Sequence, residues 1–314
     1  MIHKIIVPTP FAVGDVNTFL IKGDTLSLVD AGPKTPQAYE ALKYGIQAAG
    51  YSMNDIEQVI LTHHHPDHLG WFDAFDNART LGHIYNEFWM TRDQSFFQFH
   101  DTFYHDRLVE EGVPEEYLNW VGKMKRSAEL MGEGPLDIKL TEGDALPGHP
   151  GWSVLETLGH GQSHISLWNE DTRTMIGGDL VLGKVASNPL IEPPLDPEQG
   201  RPRSLLQYNE SLKRLLTLPI DVIYTGHGDE VYNAHELIEK RLAKQHDRAM
   251  KVHAMLEQGP RTIFELTREL FPAVYEKELG LTLSMTIGQT DYLIDEGLAL
   301  ETQDAGGVLY YEKA

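Results

Sequence analysis

The sequence predicts an α/β protein: a layered mixed-sheet domain that carries a helical insertion and is followed by a small C-terminal unit. Three observations predict it. Residues 1–61 run as hairpin, helix, strand; the stretch 152–228 repeats short apolar strands that end on glycine; and residues 262–314 place two helices before a terminal hairpin.

Met1-Ile2-His3-Lys4-Ile5-Ile6-Val7-Pro8 reads as a first strand, its apolar run too short and too soon broken by proline for a secretory signal. Asn17-Thr18-Phe19-Leu20-Ile21 and Leu26-Ser27-Leu28-Val29-Asp30 flank Lys22-Gly23-Asp24, a hairpin signal, and Ala31-Gly32-Pro33 breaks the second strand. Apolar residues at helical spacing over 36–50 stop at Gly50, a C-cap position, and 56–61 is a short strand that runs into a histidine cluster. Residues 86–135 lose strand alternation and are dense in aromatics, from Phe88 and Trp89 to Tyr117 and Trp120; they read as a helical insertion. Strand texture returns from Ile138, with 152–158, 164–168, 174–176 and 221–225 as strands, 191–197 as a loop held extended by its prolines, and 205–218 as an amphipathic helix. A long polar helix at about 234–257 precedes Gly259-Pro260, a boundary signal. Helices at 262–270 and 282–295 and a hairpin around Gly306-Gly307 then make a winged helix. The division is 1–245, with the insertion at about 86–135, and 246–314 as a winged-helix-like domain.

Composition narrows the function. No apolar run in the 314 residues approaches the roughly 18–20 that span a bilayer, so a soluble chain is expected, and with no signal sequence a cytoplasmic one. The chain has no cysteine, which excludes disulfides, thiolate nucleophiles and sulfur-ligated zinc; any metal must be held by nitrogen and oxygen. A formal charge of −21 repels phosphate backbones and disfavours nucleic acid as a partner, leaving a small-molecule substrate.

Thr62-His63-His64-His65-Pro66-Asp67-His68 follows a predicted strand and therefore sits on the loop at its C-terminal end. His63 and His65 can point one way from an extended turn while Asp67 and His68 turn toward a neighbouring position, so one loop can feed two metals. Three further segments share one design, a strand ending on glycine with a histidine or aspartate: Thr157-Leu158-Gly159-His160-Gly161, Ile176-Gly177-Gly178-Asp179-Leu180 and Tyr224-Thr225-Gly226-His227-Gly228. Glycine there lets the backbone turn sharply and approach an ion closely.

These motifs resemble the metallo-β-lactamase superfamily of hydrolases, whose H-x-H-x-D-H loop is followed by a histidine, an aspartate and a last histidine; this chain matches each in order. The resemblance implies a four-layer αββα sandwich over residues 1 to about 245. It places His63, His65 and His160 on one metal and Asp67, His68 and His227 on the other, with Asp179 bridging. Asp30 looks like the acid that supports the ligand loop, and His64 falls at the variable position and is not expected to be a ligand. His160-Gly161-Gln162-Ser163-His164 keeps a spacing seen in glyoxalase II and relatives, and the order of domain then winged helix is similar to a β-lactamase-like subgroup with an RNA-cleaving branch. The lack of cysteine departs from lactamases that use a cysteine ligand, which argues against antibiotic hydrolysis.

The implied mechanism is attack by water activated between two divalent ions, zinc by default, with iron or manganese admitted by carboxylate bridging. Asp67 would orient that water and pass its proton on; His164 would donate to the oxyanion or make a structural hydrogen bond. The aromatic insertion suits a lid or apolar wall for an acyl ester, thioester or lactone; its alternatives are a small core of its own or a homodimer contact. A phosphodiesterase or endoribonuclease is the second reading, weakened by Asp291, Asp295 and Glu296 on the would-be recognition helix. A non-catalytic binding module is the third, and the complete ligand set argues against it.

Overall fold

The structure is a computed structural model and describes residues 2–120 and 128–314. Two mixed sheets form its centre. The first runs in chain order through β1 (Ile2–Val7), β2 (Val16–Lys22), β3 (Leu26–Val29), β4 (Gln58–Leu61), β5 (Arg79–Gly82) and β6 (Ile138–Lys139). Its first three strands are antiparallel, and β3 to β6 are parallel. The second contains β7 (Trp152–Glu156), β8 (Ile165–Asn169), β9 (Thr174–Ile176) and β10 (Val222–Tyr224), with β10 joined parallel to β9 at the edge.

The apolar pattern explains the stacking. Neighbours such as Leu28 and Val29, or Val59 and Ile60, are both buried, so both faces of the first sheet must be covered. One face, with Leu20, Leu28, Val59 and Leu61, packs on Ala38, Leu42 and Ile46 of α1 (Pro36–Ala48). The other, with Phe19, Val29, Ile60 and Leu81, meets Val154, Leu167 and Ile176 of the second sheet. The outer face of that sheet, with Leu155 and Met175, packs on Tyr208 and Leu212 of α4 (Ser204–Leu215) and Ile238 of α5 (Ala234–Met255). The α1 boundaries follow from local chemistry: the Thr35 hydroxyl accepts from the Ala38 amide, Pro36 opens the first turn, and Gly50 takes a φ of 90° beyond the end.

The expected insertion begins two residues early. α2 (Ile84–Met90) and α3 (Gln94–Glu110) are followed by 3-10 turns at Glu115–Trp120 and Ala128–Leu130; residues 121–127 of the expected range lie outside the described residues. β5 and β6 pair directly, so the insertion is one long parallel crossover within the first sheet. After α5 come α6 (Ile263–Leu270), opened by a Thr262–Glu265 capping box, then α7 (Leu279–Asp295) and the hairpin of β11 (Ala299–Gln303) and β12 (Leu309–Lys313). Position 245 lies inside α5, which serves two cores. Ala234 and Ile238 join the cluster beneath the second sheet, whereas Ala249, Val252 and Leu256 pack with Ile263, Leu283, Ile287 and Tyr311. Among the described residues no helix is long and apolar enough to cross a membrane.

Candidate metal centre

The site lies where the strand ends of both sheets meet. The loop carrying His63 to His68 leaves β4, Asp30 ends β3, Asp179 follows β9 and His227 follows β10. Backbone bonds tie the sheets together at this end: the Asn17 amide donates to Gly226 O (2.6 Å) and the Ile165 amide to Thr62 O (2.8 Å). Glycine is required at two points. A Cβ on Gly226 would stand 2.1 Å from Asp179 Oδ1, and Gly178, at φ 49°, turns the chain so that the Asp179 amide reaches His164 Nε2 at 3.0 Å.

Asp30 holds a left-handed φ of 60°, uncommon for a residue with a side chain, and is buried. Its carboxylate accepts three bonds at 2.8 Å each, from the Thr62 amide, the Thr62 hydroxyl and His68 Nδ1. The Thr62 hydroxyl, having donated to Asp30, accepts from His63 Nδ1 at 3.1 Å. His160 Nδ1 donates to Asn188 O (3.0 Å) and His227 Nδ1 to Asp15 O (2.8 Å). Four imidazoles thus have their Nδ1 proton fixed by an outer partner, which leaves Nε2 as the nitrogen that faces inward.

The inward atoms converge. Ligand atoms of His63, His65 and His160 lie within 4.8 Å of one another, as do those of Asp67, His68 and His227, and His63, His68 and Asp179 form a third such group that links the two. Asp179 Oδ2 is 3.6 Å from His160 Nε2 and 3.4 Å from His227 Nε2, its Oδ1 is 3.5 Å from His68 Nε2, and Asp67 Oδ2 is 3.2 Å from His227 Nε2. Tetrahedral ligands about 2.0–2.1 Å from zinc stand about 3.4 Å apart, so these spacings fit a cation. The Nε2 atoms of His63, His65, His68, His160 and His227, and Asp179 Oδ1, are buried without a hydrogen-bond partner. Each such atom costs about 1–3 kcal/mol, and six in one place suit a site that a divalent ion satisfies.

Electrostatics divides the histidines. Burial pushes His63 well below the ordinary imidazole value, helped by neighbouring rings, and pushes His160 down to about 4. Burial also opposes charge on His68 and His227, but the carboxylates outweigh it. Asp179, Asp30 and Asp67 raise His68 well above its ordinary value, and Asp179 and Asp67 push His227 up to about 10. Against their own burial, Asp67 and Asp179 are held below the usual carboxylate range, first by the charge of His68.

All seven residues read as ligands from the sequence are brought together, and Asp30 stands behind them. His164 is placed differently. Its Nε2 accepts from the Asp179 amide and its Nδ1 donates to Thr157 Oγ1 (2.8 Å), so neither nitrogen has a proton left for an oxyanion. His64 is buried, stacked on Trp89 at 5.0 Å and 10° between planes, with Nε2 3.0 Å from Glu192 Oε1. Glu192 was not singled out by the sequence; an acid between Ile191 and two prolines was its only signal. Tyr85, Trp89 and Phe96 of the insertion turn inward into the core that α1 shares with the first sheet, and Tyr104 is buried as well.

Residues 12–227 match the family described as the Metallo-beta-lactamase superfamily. The chain is 43% identical over 308 residues, 98% of its own length and 96% of the relative's, to the Bacillus subtilis (strain 168) protein described as "Probable metallo-hydrolase YqjP". Among solved structures it is similar to the metallo-beta-lactamase family protein TTHA1429 from Thermus thermophilus (TM-score 0.79, 26% identity, covering 100% of this chain and 98% of that one). A beta-lactamase domain protein from Burkholderia ambifaria shares the fold at TM-score 0.78 and 22% identity, covering 100% and 92%.

Proposed function

The chain belongs to the metallo-beta-lactamase superfamily, and from that premise we propose that it is a metal-dependent hydrolase of a small acyl ester, thioester or lactone, built around two cations. The observation that carries this reading is the convergence of five imidazole Nε2 atoms and one carboxylate oxygen, all buried and unpartnered. His63, His65 and His160 would hold the first cation, Asp67, His68 and His227 the second, with Asp179 between them. Zinc suits a nitrogen-rich site without thiolates, and the carboxylates admit iron or manganese. When bound, such ions supply Lewis acidity that activates water and polarises the bond to be cleaved.

The chain's own residues do the rest. Asp67 directs Oδ2 at His227, leaving Oδ1 to orient a water and carry its proton to the leaving group. Asp30, Thr62, Asn188 and Asp15 fix the tautomers of the four histidines they touch. His164 is a positioning residue for Asp179. In the same reading the three apolar seams are those of a four-layer αββα sandwich, and α6, α7 and the terminal hairpin form a winged-helix-like unit.

A polyanionic substrate fits less well. Asp291, on the helix that would read a groove, is buried and paired in two bonds with Arg201 (2.6 and 2.8 Å), and most of α7 is buried with it. The test is metal analysis followed by a panel of lactones, thioesters, aryl esters and bis-p-nitrophenyl phosphate. Turnover of carboxyl esters by protein holding two equivalents of metal supports the reading. Turnover of the phosphodiester alone moves the assignment to the phosphodiesterase class, and a protein that takes up no metal ends both.

A further inference from the structure

Glu192 is 4% exposed and lies on the loop between β9 and α4, away from every motif in the sequence. Its Oε1 is 3.0 Å from His64 Nε2 and 3.6 Å from His65 Nε2, and its Oε2 accepts the Gln162 amide at 2.6 Å. The proton count fixes the direction of these bonds. Glu192, held ionised, can only accept, so the His64 proton sits on Nε2, aimed at Glu192; His64 Nδ1 is then left to accept the Ser163 hydroxyl (2.8 Å), whose oxygen accepts the His64 backbone amide (2.9 Å). One carboxylate therefore joins the 62–68 loop to the 160–164 loop, the two loops that carry His63, His65 and His160.

The two cation positions are unequal in charge. The second has Asp67 as well as a share of Asp179; the first has three imidazoles and the shared aspartate. Glu192 supplies the negative charge missing beside the first position, next to the inward nitrogen of His65. It is also gripped from behind. Tyr85 Oη donates to Pro193 O (3.0 Å), Tyr104 Oη donates to Ile191 O, and the Ile191 amide donates to Ser284 Oγ of α7 (3.2 Å). The same loop offers Asn188 O to His160. The insertion and the C-terminal helix thus both end, chemically, on the segment that presents Glu192.

We propose that Glu192 is a positioning residue of the metal centre that, through His64 and the Gln162 amide, fixes the two loops carrying His63, His65 and His160 and balances the charge of the first cation position, and that the insertion and α7 hold it there. The proposal rests on the two-cation reading above. Its test is a zinc competition titration of the full-length protein, with cobalt absorption spectra to distinguish the positions, on wild type, Glu192→Gln and Tyr85→Phe. Outer partners of metal ligands are worth about 10–100-fold in affinity. Glu192→Gln is expected to weaken one position by that factor and alter its cobalt bands, leaving the other within about threefold; Tyr85→Phe is expected to weaken the same position by about three- to tenfold.

Unchanged affinities in folded Glu192→Gln, or in Tyr85→Phe should the first variant not fold, overturn the proposal while leaving the two-cation reading intact. So does an equal loss at both positions that tracks a fall in melting temperature, which a merely structural role would give. A third equivalent of zinc in wild type that Glu192→Gln loses would make Glu192 a ligand instead, and overturns it too. A wild type that binds no cation overturns both readings.

Discussion

Asp30→Asn isolates what an outer partner does at this centre. The variant keeps the size of the side chain, and asparagine tolerates the φ of 60° that residue 30 adopts, so backbone strain is nearly unchanged. The chemistry changes at one atom. Oδ1 can still accept the Thr62 amide, but an NH2 replaces Oδ2, which now accepts from both the Thr62 hydroxyl and His68 Nδ1. An amide donor facing the Nδ1 proton forces His68 to move that proton to Nε2, where a cation would have to displace it. Losing such a partner costs about 10–100-fold in metal affinity, or about 1.4–2.8 kcal/mol. The chelated protein should also lose at least about 1.5–3 kcal/mol of stability, the worth of one of the two charged bonds that Oδ2 accepts. Zinc competition titration should show the loss at the position of Asp67, His68 and His227, and thermal melts of the chelated protein should show the second effect. A folded variant that binds both equivalents within about threefold of wild type would refute tautomer control by Asp30.

Gly226→Ala places a methyl 2.1 Å from Asp179 Oδ1 and 2.9 Å from His68 Cε1, so metal content measured by mass spectrometry should fall by at least one equivalent while the chain still folds. Zinc binding at pH 8 should release protons, because His227, raised from 6.5 to about 10, is protonated in the chelated protein; calorimetry in buffers of different ionisation enthalpy should show about one proton or more, and a zero slope counts against the pairing. The raised value stabilises the chelated fold fully below pH 6.5 and is lost as pH rises through about 10, so chelated stability should fall over the interval in which cation affinity rises. Asp291→Ala strands the buried Arg201 guanidinium and should cost about 3–5 kcal/mol in denaturant titration.

The candidate ligand residues were legible because four of them fall within six residues of the loop after β4, and the other three, His160, Asp179 and His227, follow strands and stand beside a glycine, so a few consecutive residues carry each signal. Asp30 was legible through the family motif, at the end of Leu28-Val29-Asp30. What holds the histidines in register was not. Asn188 and Asp15 serve through their backbone carbonyls, which any residue could provide, and nothing in the residue type announces them. β5 shows one buried large apolar residue in Arg79-Thr80-Leu81-Gly82, and β6 is two residues long; both exist because neighbouring strands offer backbone partners, information that lies elsewhere in the chain. His64 looked like a spacer because its ring serves Glu192 and Ser163 rather than the inward cluster. The aromatic density of the insertion was visible, but whether a tyrosine lines a wall or braces a loop depends on where its hydroxyl points. Tyr85 and Tyr104 point theirs at the backbone of 191–193.

That loop also ties the C-terminal unit to the rest of the chain by shared packing. Its apolar cluster is not its own: Leu108 and Val113 come from α3 and the turn after it, Ala249, Val252 and Leu256 from α5, and Ile191 from the loop itself, packed against Ile263, Leu283, Ile287 and Tyr311. Buried polar groups follow the same seam. Tyr311 Oη donates to Glu111 at the end of α3, and Arg201 pairs with Asp291 of α7. A cluster shared among the insertion, α5 and the C-terminal helices cannot loosen in one part without exposing apolar surface in the others. Ile191 is in that cluster through its side chain, while its amide and carbonyl are bonded to Ser284 and Tyr104. The next residue is Glu192, so the packing that closes the C-terminal core fixes the position of a carboxylate beside His65.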